Sequence, residues 1–227
     1  MSKPEITDQG DAPLDPAAMY ALLQNQQSSI AREMGAFVPV MAAVWGVGWI
    51  ISFVALWLVD GLKPAFSLPL PVAAIIFIAS MVIAGVISIA AGVRSNRGLQ
   101  VSAESKFTGT VYGVTWSVGS TALAVFGAGL FYNGMSGELA NFFYPSAYVF
   151  FVGIMYLLAG AIWHEIACVW AGAAIVAVAV IAPFIPFPLH YLFFAVAGGG
   201  TFLVLAVVMG LNLRRLRSLT QGAARGR

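Results

Sequence analysis

Residues Ala36 to Val59 read AFVPVMAAVWGVGWIISFVALWLV, a stretch without one Asp, Glu, Lys or Arg. At about 1.5 Å per helical residue it covers the roughly 30 Å hydrocarbon core of a bilayer. Five further windows share the property: 69–93, 107–132, 142–163, 166–189 and 191–213. Backbone polar groups in hydrocarbon must find partners within the chain, and barrel strands would be half as long and alternate in polarity. Uncharged windows of this length therefore predict an all-α, polytopic membrane protein with six transmembrane helices.

The composition agrees. Of 227 residues 60% are hydrophobic and 9% charged, with a mean hydropathy of +0.90, which excludes a water-soluble enzyme. A net charge of +2 supplies no field to attract nucleic acid. The single cysteine, Cys168, can neither close an intramolecular disulfide nor start a thiolate metal site. The windows hold no ionisable pair of the kind ion-coupled transport uses. No nucleophile with a base, carboxylate pair, metal-spaced histidine cluster or phosphate-cradling glycine loop is present. The expectation is a non-catalytic chain without cofactor or metal.

Basic residues set the orientation, because Lys and Arg stay on the cytoplasmic side during insertion. With the N-terminus inside, Lys3, Arg32, Arg94, Arg97, Lys106, Arg214, Arg215, Arg217, Arg225 and Arg227 are cytoplasmic, and only Lys63 lies outside. Both termini are therefore expected in the cytoplasm of a bacterial inner membrane. The first span is its own insertion signal, since the first 35 residues carry five acidic residues and no early apolar core. Residues 1–15 read as a disordered tail. Asp15-Pro16 starts a helix over 16–35, interfacial and amphipathic, with Met19, Leu23, Ile30 and Met34 on one stripe. Residues 214–227 form a basic tail that anchors the topology.

Val44-Trp45-Gly46-Val47-Gly48-Trp49 returns as Val111-Tyr112-Gly113-Val114-Thr115-Trp116, 67 residues later, with four of six positions identical. Val169-Trp170 marks a worn third copy, and an even number of spans between copies predicts a parallel 2+2+2 repeat. Trp45 with Trp49, and Tyr112 with Trp116, stand i and i+4 on one helix face, several residues inside the bilayer. Rings at that depth either line a pocket for an apolar or flat ligand or pack between helices.

Small residues recur every fourth position: Ser80, Ala84, Ser88 and Gly92; Gly109, Gly113, Ser117 and Thr121; Ala195 with Gly199 and Ala206 with Gly210. Such stripes let helix backbones approach closely. Gly198-Gly199-Gly200 in the sixth window marks a close crossing or a local unwinding, and Pro183 kinks or ends the fifth. His164-Glu165, between the fourth and fifth windows, is either the polar tip of a hairpin or a contact to a cytoplasmic partner. The other histidine, His190, lies on the opposite side of the membrane, which disfavours a shared haem.

Trp45-Gly46-Val47-Gly48-Trp49, Tyr112-Gly113-Val114-Thr115-Trp116, Leu158-Ala159-Gly160-Ala161-Ile162-Trp163 and Ala197-Gly198-Gly199-Gly200 together resemble a group of uncharacterised six-span integral membrane proteins of high-GC Gram-positive bacteria, often labelled transporters or permeases. The resemblance implies six spans and a cell-membrane location. Two functions are expected from the sequence. One is a non-catalytic accessory subunit that docks to a membrane partner. The other is a permease-type or solute-binding subunit that holds a small neutral or apolar molecule and is energised by a separate ATPase.

Overall fold

A computed structural model describes residues 38–95 and 102–225. Its regular structure is helical, with no strand among the described residues: α1 (Val38–Trp57), α2 (Leu70–Ser95), α3 (Ala103–Tyr132), α4 (Gly137–Trp163), α5 (Ile166–Ile181), α6 (Leu189–Phe193) and α7 (Gly200–Arg225). A 3₁₀ turn, Ala182–Phe184, follows α5, and a π-helical segment, Phe194–Gly199, joins α6 to α7. Six helical stretches are long and apolar enough to cross a membrane, the sixth being Leu189–Arg215. The chain is thus a multi-pass, all-α membrane protein. The tail over 1–15 and the interfacial helix over 16–35 lie outside the described residues.

Helix ends depart from the uncharged windows where capping chemistry is charged or polar. α3 starts at Ala103 rather than 107, because the Ser102 side chain accepts from Ser105 N–H and Glu104 sits in the first turn. Likewise α4 starts at Gly137 rather than 142, with Ser136 accepting from Leu139 N–H and Glu138 in its first turn. The fifth span ends early, at Ile181 instead of 189, where Pro183 enters the 3₁₀ turn and Pro186 and Pro188 follow. α7 runs past 213 to Arg225.

Glycine faces hold the bundle together. A Cβ built on Gly46 would come within 3.0 Å of the Gly199 carbonyl oxygen, and one on Gly199 within 3.0 Å of the Gly46 carbonyl oxygen. α1 and the sixth span therefore cross backbone to backbone. Gly153 and Gly172 repeat this between α4 and α5, at 3.0 and 2.8 Å. Among the helices from α2 to α7 these two form the most extensive pair, and the pair straddles the expected boundary between second and third repeat. α2 lies on α1: Gly48 faces Ala84 and Ser80, and Trp45 Nε1–H donates to Ser88 Oγ at 3.0 Å. α3 lies on α4: Tyr112 O–H donates to the Met155 carbonyl (3.1 Å) and Tyr148 O–H to the Ser120 carbonyl (2.9 Å). Among the described residues α2 and α3 make no extensive contact with each other. Of the predicted stripes, that of α2 is used against α1. That of α3 faces outward, with nothing within 4 Å of a Cβ at Gly109 or Gly113.

The core lies where α1, α4, α5 and the sixth span meet, around Trp49, Phe53, Val149, Ile175, Phe194 and Phe202. Phe53 stacks on Phe194 at 5.1 Å, and Trp49 meets Phe202 edge-on at 5.0 Å. α2 and α3, with few fully buried residues, flank this core and leave a space between them.

Candidate functional site

That space is a cavity of about 680 Å³. Trp45, Trp49, Phe53 and Leu56 of α1 wall one side, and Ala74, Phe77, Ile78 and Met81 of α2 the next. Trp116 and Ser120 of α3 face them, and α4 supplies the side from Ala140 to Val152, with Tyr191 of α6 closing one end. Each contribution follows helical spacing. Trp45, Trp49 and Phe53 are successive i+4 neighbours, as are Asn141, Pro145, Val149 and, alongside, Tyr144, Tyr148 and Val152.

The first copy of the repeated motif contributes both its rings, Trp45 and Trp49, and the second contributes Trp116. Tyr112 is not in the wall. Its ring packs edge-on against Trp163 (4.8 Å) and Trp116 (6.3 Å), and its hydroxyl is spent on the Met155 carbonyl. Tyr112 thus orients Trp116, which is also braced by Phe151 at 5.5 Å. The 67-residue offset between motifs carries Trp45 onto Tyr112 and also Ser88 onto Met155, so the two interhelical hydrogen bonds occupy matching positions.

Wall residues that the sequence reading passed over are Phe53, Phe77, Tyr144, Tyr148 and Tyr191. Tyr144 and Tyr148 carried the same i, i+4 aromatic signal as the tryptophans. Phe77 is isolated along the chain and Tyr191 lies in the aromatic run 184–194, and only the tertiary fold brings them to the cavity.

Pro145 shapes the rim. Without an N–H it leaves the carbonyl of Asn141 without a helical donor. His190, fully buried among Phe142, Phe187, Tyr191 and Phe194, places Nε2 3.2 Å from that carbonyl oxygen. A carbonyl only accepts, so Nε2 carries a proton, while Nδ1 is buried without a partner. His190 thereby ties the start of α6 to α4 and fixes Tyr191 at the cavity's end.

His164 and Glu165 sit at the far end of the bundle. His164 is the left-handed C-cap of α4 (φ 55°), its N–H bonded to the Gly160 carbonyl, and Glu165 caps α5 by accepting from Ala167 N–H at 3.2 Å. Both residues serve a two-residue turn between antiparallel helices.

The cavity contains no Asp, Glu, Lys, Arg or His in its wall. Its chemistry is aromatic contact, the hydroxyls of Tyr144, Tyr148, Ser120 and Tyr191, and the amide of Asn141. The space is partly open to the surroundings, and its apolar wall offers water few partners. In comparisons with known proteins, no family model, no curated protein and no solved structure matches the chain.

Proposed function

We propose that this protein is a ligand-holding membrane subunit, which binds a small neutral or apolar molecule in the aromatic cavity between α1, α2, α3 and α4. One observation carries the reading. Tryptophans from both copies of the repeated motif, Trp45 and Trp49 with Trp116, converge on one uncharged, partly open cavity. Packing alone would bring such rings together without leaving a space between them.

The spans carry no coupling charges, so movement of the ligand across the membrane would draw on an energising partner such as an ATPase. The distribution of Lys and Arg supports a cytoplasmic location for both termini and the bacterial inner membrane as the site. Docking to a membrane partner is a second reading, favoured by the outward stripe of Gly109, Gly113, Ser117 and Thr121 on α3, a surface suited to close helix approach.

Extraction of the full chain from its native membrane into nanodiscs, followed by native mass spectrometry, tests the reading. A stoichiometric non-protein molecule is expected on the chain, and a co-purifying ATPase would make it a transporter subunit. A ligand-free chain bound to another membrane complex would replace this reading with the docking one.

A further inference from the structure

The cavity's own polarity and its open side identify what enters it. We propose that the occupant is an uncharged amphiphile of the bilayer, an apolar chain or ring body ending in one hydroxyl or carbonyl, which enters sideways between α2 and α3. This rests on the ligand-holding reading above and adds the ligand's class and route.

The class follows from how the wall changes along the bundle. At the end where α1 stops and α2, α4 and α6 start, the wall carries Asn141, Tyr144 and Tyr191 among the apolar Phe53, Leu56 and Phe77, and next come Tyr148 and Ser120. Toward the middle of the spans it is Trp45, Trp49, Met81, Trp116 and Val152, without a free polar group other than indole N–H. From Asn141 to Val152 the cavity follows α4 for about 16 Å at 1.5 Å per residue. With its polar groups gathered at the membrane face and only indole N–H groups within, it repeats the gradient of one bilayer leaflet, so an amphiphile fits in the orientation it already holds among lipids. A charged headgroup drawn inside would meet no counter-charge, which restricts the enclosed part to a neutral one.

The route follows from which seams are closed. α1 and α2 are sealed by Gly48 against Ala84 and by the Trp45–Ser88 hydrogen bond. α3 and α4 are sealed by the Tyr148–Ser120 and Tyr112–Met155 bonds, and α1 and the sixth span by Gly46 and Gly199. Among the described residues no glycine approach or hydrogen bond of this kind is seen between the cavity-facing parts of α2 and α3, and Ile78, 61% exposed and yet part of the wall, stands at the lip.

The test reconstitutes the full chain in phosphatidylglycerol and phosphatidylethanolamine vesicles with either of two photoprobes: a long-chain alcohol with a diazirine in its chain, or a short-chain diazirine alcohol added from water. The long-chain probe is expected to label wall peptides of α1 and α4, and this labelling is expected to be lost in Ile78→Trp, or in the milder Ile78→Phe. Labelling of the exposed face of α2 stays, and thermal unfolding checks that both variants are folded. Wall labelling by the long-chain probe that is unchanged in folded lip variants overturns the route. Wall labelling by the short probe alone overturns the amphiphile and leaves the ligand-holding reading in place. A wall that neither probe labels overturns both.

Discussion

Trp49 lies against Gly198: a Cβ at position 198 would stand 2.9 Å from both Cε3 and Cζ3 of the indole. The glycine sits in the π-helical segment of the sixth span, and the tryptophan is at once a core residue and part of the cavity wall. Glycine there makes room for the ring that the cavity depends on. Gly198→Ala is expected to push Trp49 toward the cavity, with a loss of about 1–3 kcal/mol in stability, the usual cost of overpacking. Tryptophan emission and thermal unfolding in detergent would show it; an unchanged spectrum and midpoint would mean that the ring does not rest where described.

The same substitution should have opposite signs at different glycines. Gly172→Ala would bring a Cβ to 2.6 Å from Leu157 N and 2.8 Å from the Gly153 carbonyl oxygen, both backbone atoms that cannot step aside. Gly113→Ala meets nothing within 4 Å. The first is expected to lower the unfolding midpoint, and the second to leave it unchanged or raise it, since Ala favours helix by about 1 kcal/mol over Gly. Parallel melting curves of the two variants make the comparison.

Pro145 and His190 form a linked pair. In Pro145→Ala the new N–H competes for the Asn141 carbonyl that His190 Nε2–H now uses. His190→Phe keeps the ring volume and drops the bond. It is expected to cost about 1–3 kcal/mol in the wild-type background and less in Pro145→Ala, where the carbonyl has its helical donor back. A double-mutant cycle of thermal stabilities reads the coupling, and additive effects would remove the proposed link.

The hydrogen bonds from Trp45 to Ser88 and from Tyr112 to Met155 differ in what mutation reaches. Ser88→Ala removes the acceptor of one, and Tyr112→Phe the donor of the other. Each is expected to cost about 0.5–2 kcal/mol, the range for interhelical bonds in membranes. Only Tyr112→Phe should also loosen Trp116, so red-shifted or broadened tryptophan emission is expected there.

How much of this was readable beforehand varies by feature for physical reasons. The spans were, because bilayer thickness turns an uncharged run such as 36–59 directly into a helix. Helix starts at Ala103 and Gly137 were not, since windows that exclude charge discard the Glu104 and Glu138 turns that begin them. Pro183 marked the end of α5 correctly, while the apolar window ran on to 189 through residues that cannot continue a helix. Gly198-Gly199-Gly200 points to a close crossing or a local unwinding, and the structure holds a close approach to α1 there, within a π-helical segment. For the site, the motif pairs pointed to Trp45, Trp49 and Trp116. Tyr112 was grouped with them by helical spacing, yet it turns toward Met155 because α3 packs on α4. Phe77 and Tyr191 depended on which helices meet, and no local pattern encodes that.

The most direct measurement compares bound small molecules on the wild-type chain and on Trp116→Ala, both taken into nanodiscs and read by native mass spectrometry. Trp116 lies on flanking α3, outside the core cluster but packed on Tyr112 and Phe151, so its removal lowers the melting midpoint without unfolding the bundle, and a melting curve sets the temperature of the comparison below that midpoint. The account predicts one neutral molecule per chain on the wild type and its loss from the variant. A wild-type chain that carries nothing, or a folded variant that keeps the molecule as tightly, would contradict it.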